Sequence, residues 1–153
     1  MMKQSAGILL YRMRSKLIEV LLAHPGGPFW KNRDNGAWSI PKGEFSNDEE
    51  PLKAALREFE EETGVSIEGK MIELTPVKQK SGKLVLAWAV EGSPDITRFT
   101  SNNFSVEWPL KSGRMAEFPE IDKWEWFDMA MARKKILERQ IGLLDELMTI
   151  LNG

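Results

Sequence analysis

The 153-residue chain has no cysteine, one histidine (His24), one tyrosine, and no apolar run near the roughly 18 residues needed to span a bilayer. Without thiols there is no disulfide framework and no thiolate metal site. The N-terminal MMKQSAGILLYRMRSK meets charged residues before a signal core can develop, so the sequence reads as cytoplasmic, with no membrane partner. Its 21 Lys and Arg nearly balance 23 Asp and Glu, for a formal charge of −2. That balance argues against a general binder of nucleic-acid duplexes, and an anionic ligand would need a metal or local basic groups. Hydrophobic residues make up 42% and charged residues 29% of the chain, apolar enough for one compact domain over residues 1–153.

Ser5 to Arg12 and Leu17 to His24, split by a short turn, read as a first hairpin. A long loop rich in Gly, Pro, Asn and Asp follows, with a short Ala37 to Ile40 strand embedded in it. Ser46, Asn47 or Asp48 can cap a helix running to about Thr63, with Pro51 in its first turn and Gly64 as its stop. Leu52, Ala55, Leu56 and Phe59 form the apolar side of that helix. Met71 to Lys80 and Lys83 to Glu91 read as a second hairpin about Ser81-Gly82, and LVLAWAV as a central strand. Phe104 to Trp108 and Lys123 to Phe127 read as two more strands, with PLKSGRMAEFPEI between them as a second site loop. From Asp128 the helical spacing of Ile136, Ile141, Leu144, Leu147 and Met148 predicts a covering helix.

The densest information lies between Gly43 and Val65. Glu58, Glu61 and Glu62 stand at i, i+3 and i+4, so their carboxylates leave one side of a helix and repel one another unless something positive binds. Hard oxygen donors without thiolates point to Mg²⁺ or Mn²⁺ rather than zinc. An acidic helix is by itself more often a solvated face. Here it comes with Gly43, five residues, Glu49, seven residues, and then Arg57-Glu58-Phe59-Glu60-Glu61-Glu62-Thr63-Gly64-Val65.

That spacing resembles the signature box of the Nudix hydrolases at every fixed position, with Phe59 where the family more often has an aliphatic residue. The order of predicted elements resembles the family over nearly the whole chain. The resemblance implies an α/β fold, a mixed, curved β-sheet sandwiched between helices, acting as a pyrophosphohydrolase on a small-molecule nucleotide or another diphosphate-containing substrate. It also implies that Glu58, Glu61 and Glu62, with the backbone carbonyl near Gly43, hold the divalent metal, that Arg57 orients them, and that Glu49 supports at the edge. The water-activating base is implied to be Glu58 or a carboxylate on a later loop, either Glu117 or Glu120; Glu120 would also join the metal ligands.

Trp38-Ser39-Ile40-Pro41-Lys42-Gly43-Glu44 resembles the run before the box in dinucleoside polyphosphate hydrolases, which makes Lys42 a phosphate contact. Dinucleoside polyphosphates and nucleoside triphosphates are therefore the favoured substrates. The alternatives are diphosphoinositol polyphosphates, or a catalytically weak nucleotide sensor. Trp30, Trp38 and Trp108 lie in or beside loops where a ring can stack on a nucleobase, and Trp30 and Trp38 are taken as substrate contacts. Trp88, Trp124 and Trp126 read as core. Lys78, Lys80, Lys83, Lys111 and Arg114 could meet a polyphosphate tail, Arg114 first among them. His24 reads as a structural residue, and the chain as a monomer or homodimer.

Overall fold

The structure, a computed structural model, describes residues 4–153. The first hairpin forms as the apolar pattern predicts, β1 at Gln4–Arg14 and β2 at Leu17–Pro25, paired antiparallel from Tyr11↔Val20 to Arg14↔Leu17. Ser15 and Lys16 turn the chain with positive φ. β3 (Lys42–Phe45) pairs antiparallel with the first four residues of β1. A helix, α1 (Pro51–Thr63), then carries the chain across the sheet, as a parallel return requires. β6 (Leu84–Glu91) accordingly runs parallel to β1 from Gln4↔Leu84 to Tyr11↔Glu91.

The expected partner of β6 is divided at Thr75-Pro76 into β4 (Ile72–Glu73) and β5 (Val77–Lys78), each paired with β6. Proline cannot donate to a ladder, which accounts for the break. The segment expected to be one long loop contains a strand. β7 (Asn103–Glu107) and β8 (Met115–Pro119) form a separate two-stranded sheet, and β9 (Ile121–Asp128) follows. β9 closes the main sheet in the order β4, β6, β1, β2, β9, with β3 on β1 and β5 on β6. The C-terminal helix is also two helices, α2 (Met129–Lys135) and α3 (Ile141–Asn152), joined through a 3-10 turn at Glu138–Gln140.

Alternation along β1 sends Ala6, Ile8 and Leu10 into a core under α1, with Phe59, Phe99 and Trp88. Leu9 and Tyr11 enter a second core under α2 and α3, with Leu143, Leu144 and Leu147. The mixed sheet is thus covered on both faces, an α/β/α arrangement. No helix among the described residues is long and apolar enough to cross a membrane.

The strand pairing also opens a gap that becomes the site. β1 is flanked by β3 along its first residues and by β2 along its last, so these two neighbours diverge on one edge of β1. The chain before β3 fills the space between them, through Ile8 N–H to Pro41 O at 3.1 Å and the reciprocal Ala23 and Ser39 bonds at 2.8 and 3.0 Å.

Candidate active site

α1 begins where proline fixes φ and ends where glycine adopts φ +78°. Its N-cap is Glu50, with no side-chain cap bond. The predicted capping residues lie just outside, in a turn closed by Glu49 N–H to Ser46 O at 3.1 Å. Ala54, Ala55, Phe59 and Thr63 are buried, while Leu52 and Leu56 pack at the margin of the core. The opposite side presents the acids.

Arg57 binds four carboxylate oxygens. Its Nε and Nη2 donate to Glu49 at 2.7 and 2.8 Å as a two-pronged pair, and Nη1 donates to Glu58 at 2.8 Å and Glu61 at 3.0 Å. These bonds, Glu49 first, push the Arg57 pKa well up, and the Arg57 bond holds the Glu49 carboxyl below its ordinary range. Glu58 moves the other way. Its burial outweighs the Arg57 bond and raises its pKa. Its carboxylate lies against Gly43, where an added Cβ would sit 1.9 Å from Glu58 Oε2, so only glycine leaves that carboxylate its place. Arg57→Lys keeps the charge but loses the planar fork. We expect divalent-metal affinity and turnover to fall by about 10- to 100-fold with the fold retained. An Mg²⁺ titration of activity matching wild type would remove Arg57 from the positioning role.

Glu62 faces the gap. Burial first, and then the charges of Glu58 and Glu120 against the relief of Lys42, push its pKa up to about 8. Its Oε2 is buried without a hydrogen-bond partner among the described residues. Lys42 is shifted down, by burial first and then by Lys83, while Glu62 and Glu44 oppose the shift. A 230 Å³ cavity brings Lys42, Glu62, Glu120 and Trp30 together, walled by Ile40, Ile121 and Leu137. Glu120 is held there by its backbone, N–H to Asn102 O and carbonyl to Gly26 N–H, both at 2.8 Å.

Other predicted site residues lie elsewhere. Glu117 is exposed on β8 opposite Ser105, so of the two late-loop acids only Glu120 lines this cavity. Arg114 is exposed on the β7–β8 hairpin, where its carbonyl accepts from Trp108 N–H at 2.9 Å. Trp38 is 4% exposed and belongs to the core under α2 and α3. Its Nε1 donates to Asp34 at 2.9 Å and its ring meets His24 and Phe127 edge-on, a core packing rather than a loop ring free to stack on a base. His24 is buried with both ring nitrogens partnered, by Asp122 at 2.7 Å and Arg33 O at 2.6 Å, as a structural histidine should be. Trp124 packs beside Phe99 and Trp126 lies under Arg12. Leu137 and Ile121 went unnoticed in the sequence because nothing local distinguishes a cavity wall from core.

A larger cavity, 690 Å³, contains none of the acids of α1. Its own acids are each tied to a neighbour: Asp34 to Lys135, Asp122 to His24, and Glu125 to Lys123. Its acids are thus each paired, whereas one oxygen of Glu62 has no hydrogen-bond partner among the described residues.

The donors along α1 suit a hard divalent cation, and Glu62 Oε2 is a buried oxygen without a hydrogen-bond partner among the described residues. No three His, Cys, Asp or Glu side chains among the described residues converge on one point, because Arg57 draws Glu58 and Glu61 to itself. Mg²⁺ tolerates this, since it commonly binds through one or two carboxylates and takes its remaining ligands from water and substrate phosphates.

A mixed sheet between helices, with an arginine-organised acidic helix beside a strand glycine, is the framework of one family. Residues 1–147 match the NUDIX domain, and the chain belongs to that family. Among its relatives is a MutT-like protein of Streptomyces ambofaciens, 35% identical over 92 residues, 57% of this chain and 58% of that one. Another is the asymmetrical bis(5'-nucleosyl)-tetraphosphatase of Rattus norvegicus, 40% identical over 60 residues, 35% of this chain and 41% of that one. The chain thus spans about half the length of the curated relatives it matches. The fold is shared with a C. elegans Ap4A hydrolase crystallised as a binary complex, at a TM-score of 0.69 and 24% identity, covering 99% of this chain and 98% of that one.

Proposed function

We propose that this chain is a divalent-metal-dependent pyrophosphohydrolase that cleaves the diphosphate linkage of a nucleotide by attack of water on phosphorus. One observation carries the reading: Glu62, with one carboxylate oxygen buried and without a hydrogen-bond partner among the described residues, lines the cavity that also holds Lys42 and Glu120, beside acids organised by Arg57. In the proposed site Glu58, Glu61, Glu62 and the Gly43 carbonyl hold Mg²⁺ or Mn²⁺, with Glu120 as a further ligand. The cation supplies charge neutralisation on the phosphoryl oxygens and an acidified water. Lys42 binds a phosphate, and its reluctance to carry a charge alone in this buried setting favours an anion beside it. Glu58 or Glu120 takes the proton of the attacking water. The new phosphorus–oxygen bond forms as the bridging bond breaks, and the departing phosphate keeps the electron pair.

Dinucleoside polyphosphates rank ahead of nucleoside triphosphates as substrates, by likeness to the relatives that act on such compounds. The proposed setting is the cytoplasm. The alternative is a nucleotide-binding domain with little hydrolysis, against which the intact set of Arg57, Glu58, Glu61 and Glu62 stands. Product analysis separates the two, using nucleoside triphosphates, dinucleoside tetraphosphates, nucleotide sugars and diphosphoinositols with and without Mg²⁺. One dominant Mg²⁺-dependent substrate is expected. Silence across the panel together with tight nucleotide binding would replace the hydrolase with the sensor.

A further inference from the structure

Another cavity adjoins the proposed catalytic one. This second cavity, of 570 Å³, shares Trp30 and Leu137 with the first and is lined by Arg33, Lys80 and Arg139, with Glu138 as its one acid. The three cations come from three distant parts of the chain: the loop after β2, the β5–β6 turn, and the 3-10 turn before α3. None has an ion-pair partner among the described residues, whereas Lys83, named with Lys80 in the sequence, is bound to Glu44.

The segments that bring these cations together are pinned. Gln140, fully buried beside Arg139, accepts from Ile40 N–H at 3.1 Å and donates to Ser39 Oγ at 3.0 Å. Leu137 N–H donates to Trp38 O at 2.8 Å, joining the same turn to the chain that leads into β3. The Arg33 carbonyl is held by His24, and its guanidinium lies 5.6 Å from the centre of the Trp30 ring. The Lys80 turn is closed by Gln79 N–H to Lys83 O and Gly82 N–H to Gln79 O, both at 2.9 Å.

An acid-lined cavity that shares walls with a cation-lined one suits a ligand with a diphosphate at one end and further negative charge at the other. We propose that Arg33, Lys80 and Arg139 form a second anion subsite that selects substrates carrying phosphates beyond the scissile diphosphate. This rests on the hydrolase reading and adds the requirement that separates the candidate substrates. A nucleotide sugar, uncharged beyond its diphosphate, leaves the second cavity's cations unmatched. A dinucleoside polyphosphate with four or more phosphates engages them through charge-assisted hydrogen bonds, which the arginine fork favours.

The test compares kcat/KM for a dinucleoside pentaphosphate and a nucleotide sugar in wild type, Lys80→Ala, Arg139→Ala and Arg139→Lys. Each alanine should lower the pentaphosphate-to-sugar preference by about tenfold or more, through KM, with partial recovery in the lysine variant. Added salt should erode the preference more in wild type than in the double alanine variant. Lys70→Ala, exposed just before β4, is the control with unchanged preference. Equal losses on both substrates, or none, would overturn the subsite. Calorimetry with a methylene-bridged dinucleoside tetraphosphate in EDTA gives an independent reading. Weaker binding by the alanine variants of a wild type that hydrolyses nothing would retain the subsite and discard the hydrolase. Active enzyme with undiminished variant binding would do the reverse.

Discussion

Glu62→Gln should abolish most metal-dependent turnover, a loss of orders of magnitude, while making the metal-free protein more stable at neutral and alkaline pH. The first effect follows from replacing a carboxylate at the proposed cation site with a neutral amide. The second follows from linkage. The folded Glu62 carboxyl holds its proton up to about pH 8, against an ordinary value of 4.5. Between these limits the folded state binds a proton that the unfolded chain has released. Stability therefore falls as pH rises, by about 1.4 kcal/mol per pH unit while that difference is complete. Below pH 4.5 both states are protonated and nothing is lost. Glutamine removes this dependence, so the variant's advantage in EDTA should grow across the window and level off above about pH 8. Mg²⁺ should restore wild type at pH 8 far more than the variant. Thermal unfolding across pH with and without Mg²⁺, beside turnover, measures all of this. Near-wild-type turnover in folded Glu62→Gln would sink the site.

Phe59→Ala should be the most damaging substitution for folding, at about 3 to 5 kcal/mol. Phe59 is fully buried between the acidic residues in sequence and faces the sheet, edge-on to Phe99 at 6.1 Å and 87°. Phe99 in turn meets Trp124 edge-on at 5.5 Å. Truncation leaves a void at the start of this aromatic chain, and α1 should lose its seat on β1. Chemical denaturation should show a lower midpoint at an unchanged slope. An unchanged midpoint would contradict the packing.

These two positions also show what could be read from the chain and why. The box places Phe59 inward and Glu62 outward by helical period alone, so α1, its glycine stop and the side bearing the acids were legible. The β1–β2 hairpin and β6 were equally plain from their apolar runs. The break after α2 was not. Ile136 is buried and periodic, as a helix requires, yet it takes an extended conformation because it bridges to Trp38 and the next N–H bonds the Trp38 carbonyl. A tertiary pairing there overrides local periodicity. β8 was hidden for a similar reason: its five residues alternate too briefly to stand out, and its partner β7 defines it. Trp38 was misplaced because a loop location was taken to mean an open ring, while Asp34, four residues earlier, accepts from the indole N–H and the ring packs into the core. Arg33 and Arg139 carry no local signal at all, since only the folded chain brings them beside Lys80.

The outermost strand, β9, bears on how copies of this protein meet. It ends the main sheet with one side of its backbone unpaired by any strand among the described residues, which is ordinarily an invitation to a foreign strand. Along its eight residues stand Asp122, Lys123, Glu125 and Asp128. A strand docking on that rim would have to strip water from these charges, so this edge of the sheet guards itself against sideways growth.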